Sequence, residues 1–358
     1  MNLKLDGKKS QQVSAADIAF CEKFMSASGG RYVLGRNDFS AELGSCLTVD
    51  AFIDDFADVK EFSGKPVIAT EQVPEGSLVI STSISRLPKS AIAKLRHHKL
   101  NVMDYFSFKK ASDLPLLDSP LLSEFTVEFD RHQDYYQKLY DRFADQVSKN
   151  IFESIISFRL MRDLSYLDGF EYIPERQYFE PFLLIRNEGE IFLDVGAYDG
   201  DTTEAFISQY PKYEKVHLFE PDSQNLERLS ERLLGYDNIH AHPYGAWNEN
   251  RKLNFRSAGS ASGIENGGEE EVDVRRIEDV IQGPVTYIKM DIEGSEAPAI
   301  EGAQSLIKKY RPRLAICVYH KSEDLRVIPQ IILSMNNDYK VFLRHYTEGL
   351  DETVMYFV

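Results

Sequence analysis

One segment of the sequence restricts the fold more than any other. The apolar run Ile191-Phe-Leu-Asp-Val-Gly-Ala197 ends in an acid and a glycine, and the run Asp199-Gly-Asp-Thr-Thr203 follows directly. This order predicts a buried strand, a tight turn and the start of a helix, which is the repeating unit of open α/β sheets. Because such sheets bind ligands at the carboxyl ends of their strands, Asp194 and Gly196 are predicted to lie at a binding crevice.

A second apolar run places an acid at the end of the next strand. Val216-His-Leu-Phe-Glu220 ends about 25 residues after Asp194, and a carboxylate there can accept both hydroxyls of a ribose. The stretch between the two acids lacks the glycine pattern that cradles a phosphate. The site is therefore predicted to hold a nucleoside without a pyrophosphate, which fits S-adenosylmethionine better than NAD. Gly196 is expected to let the backbone approach that ligand closely.

A third strand followed by acids is predicted at Tyr287-Ile-Lys-Met-Asp291-Ile-Glu293-Gly-Ser-Glu296. Since parallel strands end at one edge of their sheet, Asp291 and Glu293 are predicted to lie near the methyl group of the cofactor. The alternative is that Glu293 and Glu296 only complement the dipole of a helix, which is predicted for residues 295–310.

The alternation of strands and helices indicates an α/β protein with parallel sheets. From residue 189 onward, strands are predicted at 190–195, 215–220, 239–246, 285–291, 314–319, 339–344 and 353–358, the last one antiparallel. Strands at 31–35, 49–55, 66–69 and 77–81 and helices at 12–28 and 88–98 indicate a smaller unit before it. Helical spacing of apolar residues marks 129–167. We predict a half-Rossmann-like domain (1–115), a helical connector (116–180) and a binding domain (181–358).

The smaller unit contains a weak dinucleotide pattern. Gly35 is followed by Asp54 and Asp55 at the distance of a ribose-binding acid. The second and third glycines of the dinucleotide motif are missing, however. A structural or substrate-binding role is therefore favoured over NAD binding.

Charge and cysteine content exclude several classes of protein. The chain has 41 basic and 57 acidic residues and a net charge of −16, which disfavours a nucleic-acid partner. The thiols of Cys21, Cys46 and Cys317 show no disulfide or metal-ligand spacing, which favours a reducing compartment. The N-terminus lacks the apolar core of a signal peptide, and no apolar stretch approaches the ~20 residues of a membrane helix. A cytoplasmic location without a membrane partner is expected.

The motifs taken together resemble the FkbM family of methyltransferases over roughly residues 175–350. The resemblance rests on Asp194-Val-Gly-Ala with Gly-Asp-Thr, Phe219-Glu-Pro, Tyr244-Gly-Ala-Trp, Val272 to Asp279, Ile288-Lys-Met-Asp-Ile-Glu-Gly-Ser-Glu, Glu301-Gly-Ala and Pro312 to His320. It implies a class I methyltransferase fold and an S-adenosylmethionine-dependent enzyme. It also implies O-methylation of a sugar or polyketide hydroxyl, so that the partner is a small-molecule or carbohydrate acceptor.

The resemblance also assigns residues to the cofactor. Asp194 and Gly196 would line its methionine part, Glu220 would hold the ribose, and Ala246 and Trp247 would lie beside the adenine. The remaining cofactor-binding residues expected from the same motifs are Ala197, Tyr198, Asp199, Thr202, Pro221 and Asp291. Tyr198 and Asp199 depart from the family pattern, in which many members carry Asn and a small residue.

Catalysis is predicted to involve His320 together with Asp291 and Glu293. His320 follows the strand predicted at 314–319, and a neutral imidazole there would serve as the general base for a hydroxyl. A histidine bonded to a loop carbonyl is the alternative, and His345 is a weaker candidate base. The three residues are also suited to a divalent metal, but no essential metal is predicted. Two other functions remain open, a nucleotide-sugar oxidoreductase and a non-catalytic nucleotide-binding protein.

Overall fold

The structure is a computed structural model that describes residues 13–257, 262–264, 268 and 270–358. The chain divides into two compact units, each built from separate stretches of sequence. Unit 1 comprises Met1–Arg131, Phe152–Ile173 and Tyr346–Asp351, and unit 2 comprises His132–Ile151, Pro174–His345 and Glu352–Val358. The segment predicted as a connector, residues 116–180, contributes to both units.

Helices occur in both units. They are α1 (Ala15–Ser26), α2 (Asp38–Cys46), α3 (Pro88–His97), α4 (Tyr105–Ser112), α5 (Pro120–Arg142), α6 (Gln146–Met161), α7 (Asp201–Gln209), α8 (Ser223–Arg232), α9 (Ile277–Val280), α10 (Glu296–Glu301), α11 (Gln304–Tyr310) and α12 (Asp324–Met335). Helix α5 is kinked at His132, whose backbone angles are not helical. Over the ranges that the structure covers, none of these helices has the length and apolar character needed to cross a membrane.

The strands form three sheets in the described residues. Unit 1 contains β1 (Arg31–Leu34), β2 (Ala51–Ile53), β3 (Glu61–Phe62), β4 (Lys65–Ile68), β5 (Leu78–Ser81) and β6 (Asn101–Asp104). Unit 2 contains β7 (Ile191–Val195), β8 (Lys215–Phe219), β9 (Ile239–His242), β10 (Gly245–Ala246), β11 (Arg251–Arg256), β12 (Gly263–Ile264), β13 (Glu270–Arg275), β14 (Tyr287–Met290), β15 (Arg313–Cys317), β16 (Val341–His345) and β17 (Thr353–Phe357).

The sheet of unit 1 is parallel except at one edge. Its order is β3-β4-β2-β1-β5-β6, and only β3 pairs antiparallel within it, with β4. Helices α1 and α2 begin at side-chain caps, since Ser14 and Asn37 each accept a hydrogen bond from a backbone N–H of the first turn. The smaller α/β unit expected from the sequence is therefore present.

The main sheet of unit 2 has the order β16-β17-β15-β14-β7-β8-β9. Strands β15, β14, β7, β8 and β9 run parallel, whereas β17 is antiparallel to both of its neighbours. The chain starts at β7 and moves outward in one direction through β8 and in the other through β14. The crevice of such a sheet lies at this switch point. The predicted class I fold, a parallel sheet with an antiparallel last strand, is confirmed.

Two elements of unit 2 differ from the prediction. The strand predicted at 239–246 ends at His242, because Pro243 has no N–H for a sheet hydrogen bond. Gly245 and Ala246 belong instead to a second sheet of order β10-β13-β11-β12, with a core of Phe255, Val272 and Val274.

The helix predicted at 295–310 is also two helices, α10 and α11. The interruption lies at Gly302, where an added Cβ would lie only 1.9 Å from the carbonyl oxygen of Trp247. The close approach of that neighbouring backbone admits only glycine, and the chain changes direction at this point.

Candidate active site

Four parallel strands deliver the predicted site residues to one edge of the main sheet. Gly196, Glu220 and Asp291 directly follow β7, β8 and β14, and His320 lies shortly after β15. The backbone N–H of Gly196 donates to Phe219 O (3.0 Å), and that of Asp291 donates to Val195 O (3.0 Å). These hydrogen bonds extend the strand pairing into the turns, so the ends of the central strands are held rigidly together.

Gly196 is required by a contact inside the protein. Its φ is +81°, and an added Cβ would lie 1.9 Å from the carbonyl oxygen of Asp291. Any side chain here would force the turns after β7 and β14 apart. The contact between the turns after β7 and β14 is therefore enough to require glycine here, and close approach of a ligand to Gly196 stays a prediction.

Asp194 lies beneath this edge and is fully buried. Its Oδ1 is 3.1 Å from Nζ of Lys289, and its Oδ2 accepts a hydrogen bond from Thr203 Oγ1 (2.8 Å). Lys289 also donates to the carbonyl oxygen of Gly196 (2.7 Å). The Asp194 side chain thus stabilises the turn that follows it and acts as a positioning residue.

The charges of Asp194 and Lys289 stabilise each other despite their burial. Burial raises the pKa of Asp194, and the ammonium group of Lys289 opposes that shift. Burial would lower the pKa of Lys289, but the carboxylates of Asp194 and Asp291 outweigh it and raise that pKa above its ordinary value. Each charge therefore depends on the other.

Glu220 is held by the loops on both sides of β8. Its Oε2 accepts from the N–H of Tyr198 (2.9 Å) and its Oε1 accepts from the N–H of Asp222 (2.9 Å). Only 5% of the residue is exposed, and this burial raises the pKa of Glu220 to about 7, although both hydrogen bonds oppose the shift. The carboxylate is thus fixed in orientation and titrates near neutral pH.

The turn after Gly196 differs in detail from the expected helix start. Helix α7 has Gly200 at its N-cap, with φ +85° and no side-chain cap. Neither Thr202 nor Thr203 caps this helix, and the hydroxyl of Thr203 donates to Asp194 instead. Asp199 Oδ2 forms an ion pair with Arg232 of α8 (2.6 Å).

The other residues assigned to the cofactor surround this turn. Ala197 is buried and donates its N–H to Phe219 O (3.1 Å), and Tyr198 has a positive φ of +50°. Pro221 follows Glu220 and is partly exposed. Ala246 is buried in β10, and the N–H of Trp247 donates to Arg275 O (2.9 Å). Contact of these side chains with an adenine stays a prediction.

Asp291, Glu293 and His320 form a group that we call the acid–histidine cluster. Nε2 of His320 is 3.4 Å from Asp291 Oδ1 and 3.7 Å from Glu293 Oε2. The Asp291 carboxylate also accepts hydrogen bonds from Tyr178 Oη (3.0 Å) and Tyr319 Oη (3.4 Å). The structure therefore brings together the three residues predicted to be catalytic.

The charge state of His320 differs from the sequence-based expectation. Burial alone would lower its pKa, but the carboxylates of Glu296, Asp291 and Glu293 raise the pKa of His320 to about 10. Conversely, burial would raise the pKa of Asp291, but His320 and Lys289 lower it. These carboxylates favour the protonated imidazolium of His320, whereas the sequence led us to expect a neutral imidazole. The role of His320 as a base stays a prediction.

The histidines of the main sheet contact neighbouring strands. His345 is buried in β16, and its Nδ1 lies 2.9 Å from Thr353 Oγ1 on the neighbouring strand. Nδ1 of His217 lies 3.1 Å from Nε2 of His242. Burial lowers the pKa of His217 to about 4, so it is neutral. His345 is thus part of the sheet packing.

The comparisons with known proteins place a family model on part of the chain. The model of the "Methyltransferase FkbM domain" matches residues 194–344, which include every strand end described above. This segment, called the FkbM domain for that match, is similar to methyltransferases of this family. The crystal structure of methyltransferase FkbM from Methylobacillus flagellatus KT is similar over 99% of this chain and 96% of that chain, with a TM-score of 0.75 and 26% identity.

Other solved structures resemble only about half of the chain. An rRNA methylase from Streptococcus thermophilus covers 49% of this chain and 90% of its own length, with 16% identity and a TM-score of 0.34. The fibrillarin of Aeropyrum pernix, solved with natively bound S-adenosyl-L-methionine, covers 48% of this chain and 67% of its own, with 14% identity and a TM-score of 0.33. No curated protein matches the sequence. The family match supports methyltransferase function for the FkbM domain.

The FkbM domain contains functional groups that the sequence analysis did not assign. Lys289 was overlooked, although a lysine inside the apolar run of β14 is itself a sign of a buried partner. Glu296 was considered only for a helix dipole, yet its Oε1 lies 3.0 Å from His320 Nδ1 and accepts from the N–H of Ile292 (2.9 Å). Tyr178, outside the FkbM domain, gave no sequence signal because its contact with Asp291 spans more than a hundred residues.

The dinucleotide pattern of unit 1 is engaged in internal contacts. An added Cβ on Gly35 would lie 2.5 Å from Thr82 Oγ1, and the Asn37 side chain caps α2 and donates to Thr82 O (3.0 Å). Asp54 is paired with Arg36 at 2.6 Å. The groups that a ribose and a pyrophosphate would need are therefore bonded within the unit.

Proposed function

We propose that this protein transfers a methyl group from S-adenosylmethionine to a hydroxyl of a small-molecule or carbohydrate acceptor, of the sugar or polyketide type. The observation that carries the proposal is the placement of Glu220 and the acid–histidine cluster at the ends of strands on opposite sides of β7. The Gly196 turn lies between them. A nucleoside held by Glu220 would thus direct its reactive end toward the acids that follow β14.

Glu220 provides the ribose contact in this proposal. Its two oxygens point in fixed directions because the N–H groups of Tyr198 and Asp222 hold them. A carboxylate still has lone pairs free for two hydroxyl groups. Ala246 and Trp247 are proposed to flank the adenine, and Gly196, Ala197 and Asp199 to line the methionine part.

The chemistry requires an in-line arrangement and a proton acceptor. Bound S-adenosylmethionine supplies an electrophilic methyl group on a positively charged sulfur. The acceptor oxygen forms a bond to the methyl carbon while the carbon–sulfur bond breaks and its electron pair goes to sulfur. Most of the acceleration in such a displacement comes from proximity and orientation, which the rigid strand ends provide.

Glu293 is proposed to take the proton of the acceptor hydroxyl. Its side chain is 34% exposed, against 7% for His320 and 23% for Asp291, so an acceptor reaches it first. Asp291 and His320 are then proposed to orient Glu293 and to balance its charge. This assignment replaces the neutral histidine base expected from the sequence.

The charge of the chain and the resemblance to the FkbM family support the proposed acceptor class. A net charge of −16 repels a phosphate backbone, which favours an uncharged hydroxyl compound over a nucleic acid. Three free thiols fit a reducing compartment such as the cytoplasm. The internal contacts of Gly35 and Asp54 give no support to a nucleotide-sugar oxidoreductase.

Calorimetric titration of the full chain with S-adenosylhomocysteine tests the cofactor assignment. We expect one bound equivalent, with affinity reduced about 10- to 100-fold in Glu220→Gln, which removes the charge from hydrogen bonds worth ~1.5–3 kcal/mol. The matched control is Glu214→Gln, an exposed glutamate just before the opposite end of the same strand. No binding, or equal binding by the wild type and Glu220→Gln, would refute the assignment.

Methyl transfer itself separates an enzyme from a binding protein. The same preparation is incubated with methyl-labelled S-adenosylmethionine and a panel of hydroxylated sugars and polyketides. We expect the wild type to transfer label to at least one of these acceptors. Glu293→Gln should transfer less label while it retains its affinity for the cofactor. A protein that binds the cofactor and labels none of them would contradict the proposed acceptor class.

A further inference from the structure

We propose that the acid–histidine cluster binds a divalent transition-metal cation of the Mn²⁺ type through Asp291, Glu293 and His320. The cation itself is inferred from the arrangement of these side chains. Its role in methyl transfer, to acidify the acceptor hydroxyl, rests on the function proposed above.

The spacing of the three donor atoms suits one ion. One ligand atom from each side chain lies within 4.8 Å of the others, and the distances from His320 Nε2 are 3.4 and 3.7 Å. Metal–ligand bonds of about 2.0–2.2 Å separate neighbouring ligand atoms by about 3.0 Å around an octahedral ion and about 3.4 Å around a tetrahedral one. Side-chain shifts of a few tenths of an ångström would complete the site.

His320 gives a second, independent sign of a ligand. Its side chain is 93% buried, since 7% is exposed, and among the described residues neither ring nitrogen has a hydrogen-bond partner at a favourable angle. A buried imidazole nitrogen without a well-aligned hydrogen bond is costly. Nε2 faces the oxygens of Asp291 and Glu293, which is the direction in which a cation would lie.

Glu296 is placed as the carboxylate that orients a metal-binding histidine. Its Oε1 lies 3.0 Å from Nδ1 of His320, on the side of the ring away from the cluster. Histidines that bind metals commonly direct the other ring nitrogen at a carboxylate, which fixes the ring and makes the ligand more basic. Glu296 is itself held by the N–H of Ile292 (2.9 Å).

The backbone at Glu293 is held in an uncommon conformation. Its φ is +52°, a left-handed region that costs a residue with a side chain about 1–2 kcal/mol. Gly294 follows with φ +88°. This turn directs the Glu293 carboxylate back toward His320, and such strain concentrates at functional sites.

The ligand set selects the type of ion. Carboxylates suit Mg²⁺, Ca²⁺ and Mn²⁺, whereas imidazole suits later transition metals, and Mn²⁺ accepts both. Two carboxylates also neutralise the charge of the ion. A second group of possible ligands, Glu296, His320 and Asp324, includes two fully buried carboxylates, so it offers no open position for a substrate.

A cation at Asp291, Glu293 and His320 would change how the hydroxyl is activated. The acceptor oxygen would bind at an open coordination position, where the metal lowers its pKa and lets the proton pass to solvent. The oxygen then forms its bond to the methyl carbon as described above. Glu293 serves as a ligand in that state and as the proton acceptor in the metal-free state.

The test is a titration of metal-stripped full-length protein with Mn²⁺ alone, with free Mn²⁺ measured by electron paramagnetic resonance. We expect one saturable site in the wild type and an affinity at least tenfold lower in Glu293→Gln and in His320→Gln. Glu301→Gln, which makes the same change at an exposed position of α10, should bind as the wild type does. Glu293→Gln keeps the test valid if His320→Gln fails to fold, because Glu293 is partly exposed.

Two results would overturn the metal site. One is the absence of saturable Mn²⁺ binding to the wild type, and the other is unchanged affinity in Glu293→Gln. Titration with S-adenosylhomocysteine in the presence of a chelator keeps this outcome separate from the cofactor proposal. Cofactor binding without Mn²⁺ binding would refute only the metal site. Mn²⁺ binding without cofactor binding would refute only the proposed function.

Discussion

The buried pair of Asp194 and Lys289 allows a quantitative prediction. Replacing Lys289 with methionine keeps the length of the side chain but leaves the carboxylate of Asp194 alone at zero exposure. At the observed 3.1 Å, the attraction is about 5 kcal/mol for an effective dielectric constant of about 20. Breaking a buried pair typically costs about 3–5 kcal/mol. We therefore expect Lys289→Met to lower the free energy of unfolding of unit 2 by about 3–5 kcal/mol.

The assay is urea unfolding followed by tryptophan fluorescence. A protein of two units need not unfold in one step, but the chain contains a single tryptophan, Trp247 in unit 2. The double variant Asp194→Asn with Lys289→Met removes the isolated charge, so much of the loss should be recovered. The control Lys212→Met breaks a pair with Glu188 whose side chains are 70% and 68% exposed, and should cost less than about 1 kcal/mol.

Either of two results would contradict the prediction for Lys289→Met. A loss below about 1 kcal/mol in Lys289→Met would mean that the carboxylate is not stranded, and additive effects of the two single changes would show that the pair is not coupled.

Two further predictions follow from the same strand ends. Gly196→Ala should destabilise unit 2 and weaken S-adenosylhomocysteine binding more than tenfold, because its Cβ would lie 1.9 Å from Asp291 O; unchanged melting and calorimetric titration would contradict this. Since the pKa of Glu220 is raised from 4.5 to about 7, the folded protein holds its proton more tightly than the unfolded chain does. The contribution of Glu220 to stability is complete below about pH 4.5 and is lost as the pH rises through 7. In urea titrations, the stability of the wild type relative to Glu220→Gln should therefore fall across that pH window. A difference in stability that stays constant with pH would exclude the shift in pKa.

The grouping of Gly196, Glu220 and Asp291 was predictable, because the carboxyl ends of parallel strands meet at one edge of the sheet. The apolar runs before Asp194, Glu220 and Asp291 each read as a buried strand, and the topology then places the residues after them together. The antiparallel strand at the end of the sheet was expected instead from the similarity to sheets that bind S-adenosylmethionine.

The partners of those residues were not predictable from local pattern. Asp194 and Lys289 are 95 positions apart, and the pattern of alternation does not say whether a strand-end acid faces the crevice or the core. His320 shows the same limit, because its pKa depends on Glu296 and Asp291, which come from another strand end. Two local signals were overlooked. One is the lysine at position 289 inside an apolar run, and the other is Pro243, since a proline inside the strand predicted at 239–246 already marks its end.

The most direct test of the account is a crystal structure of the protein with S-adenosylhomocysteine. The account predicts a nucleoside at the carboxyl ends of β7 and β8, with its ribose hydroxyls within hydrogen-bond distance of Glu220 and its sulfur directed toward the acid–histidine cluster. Electron density for the nucleoside beside Gly35 in unit 1, or a ribose that does not contact Glu220, would contradict it.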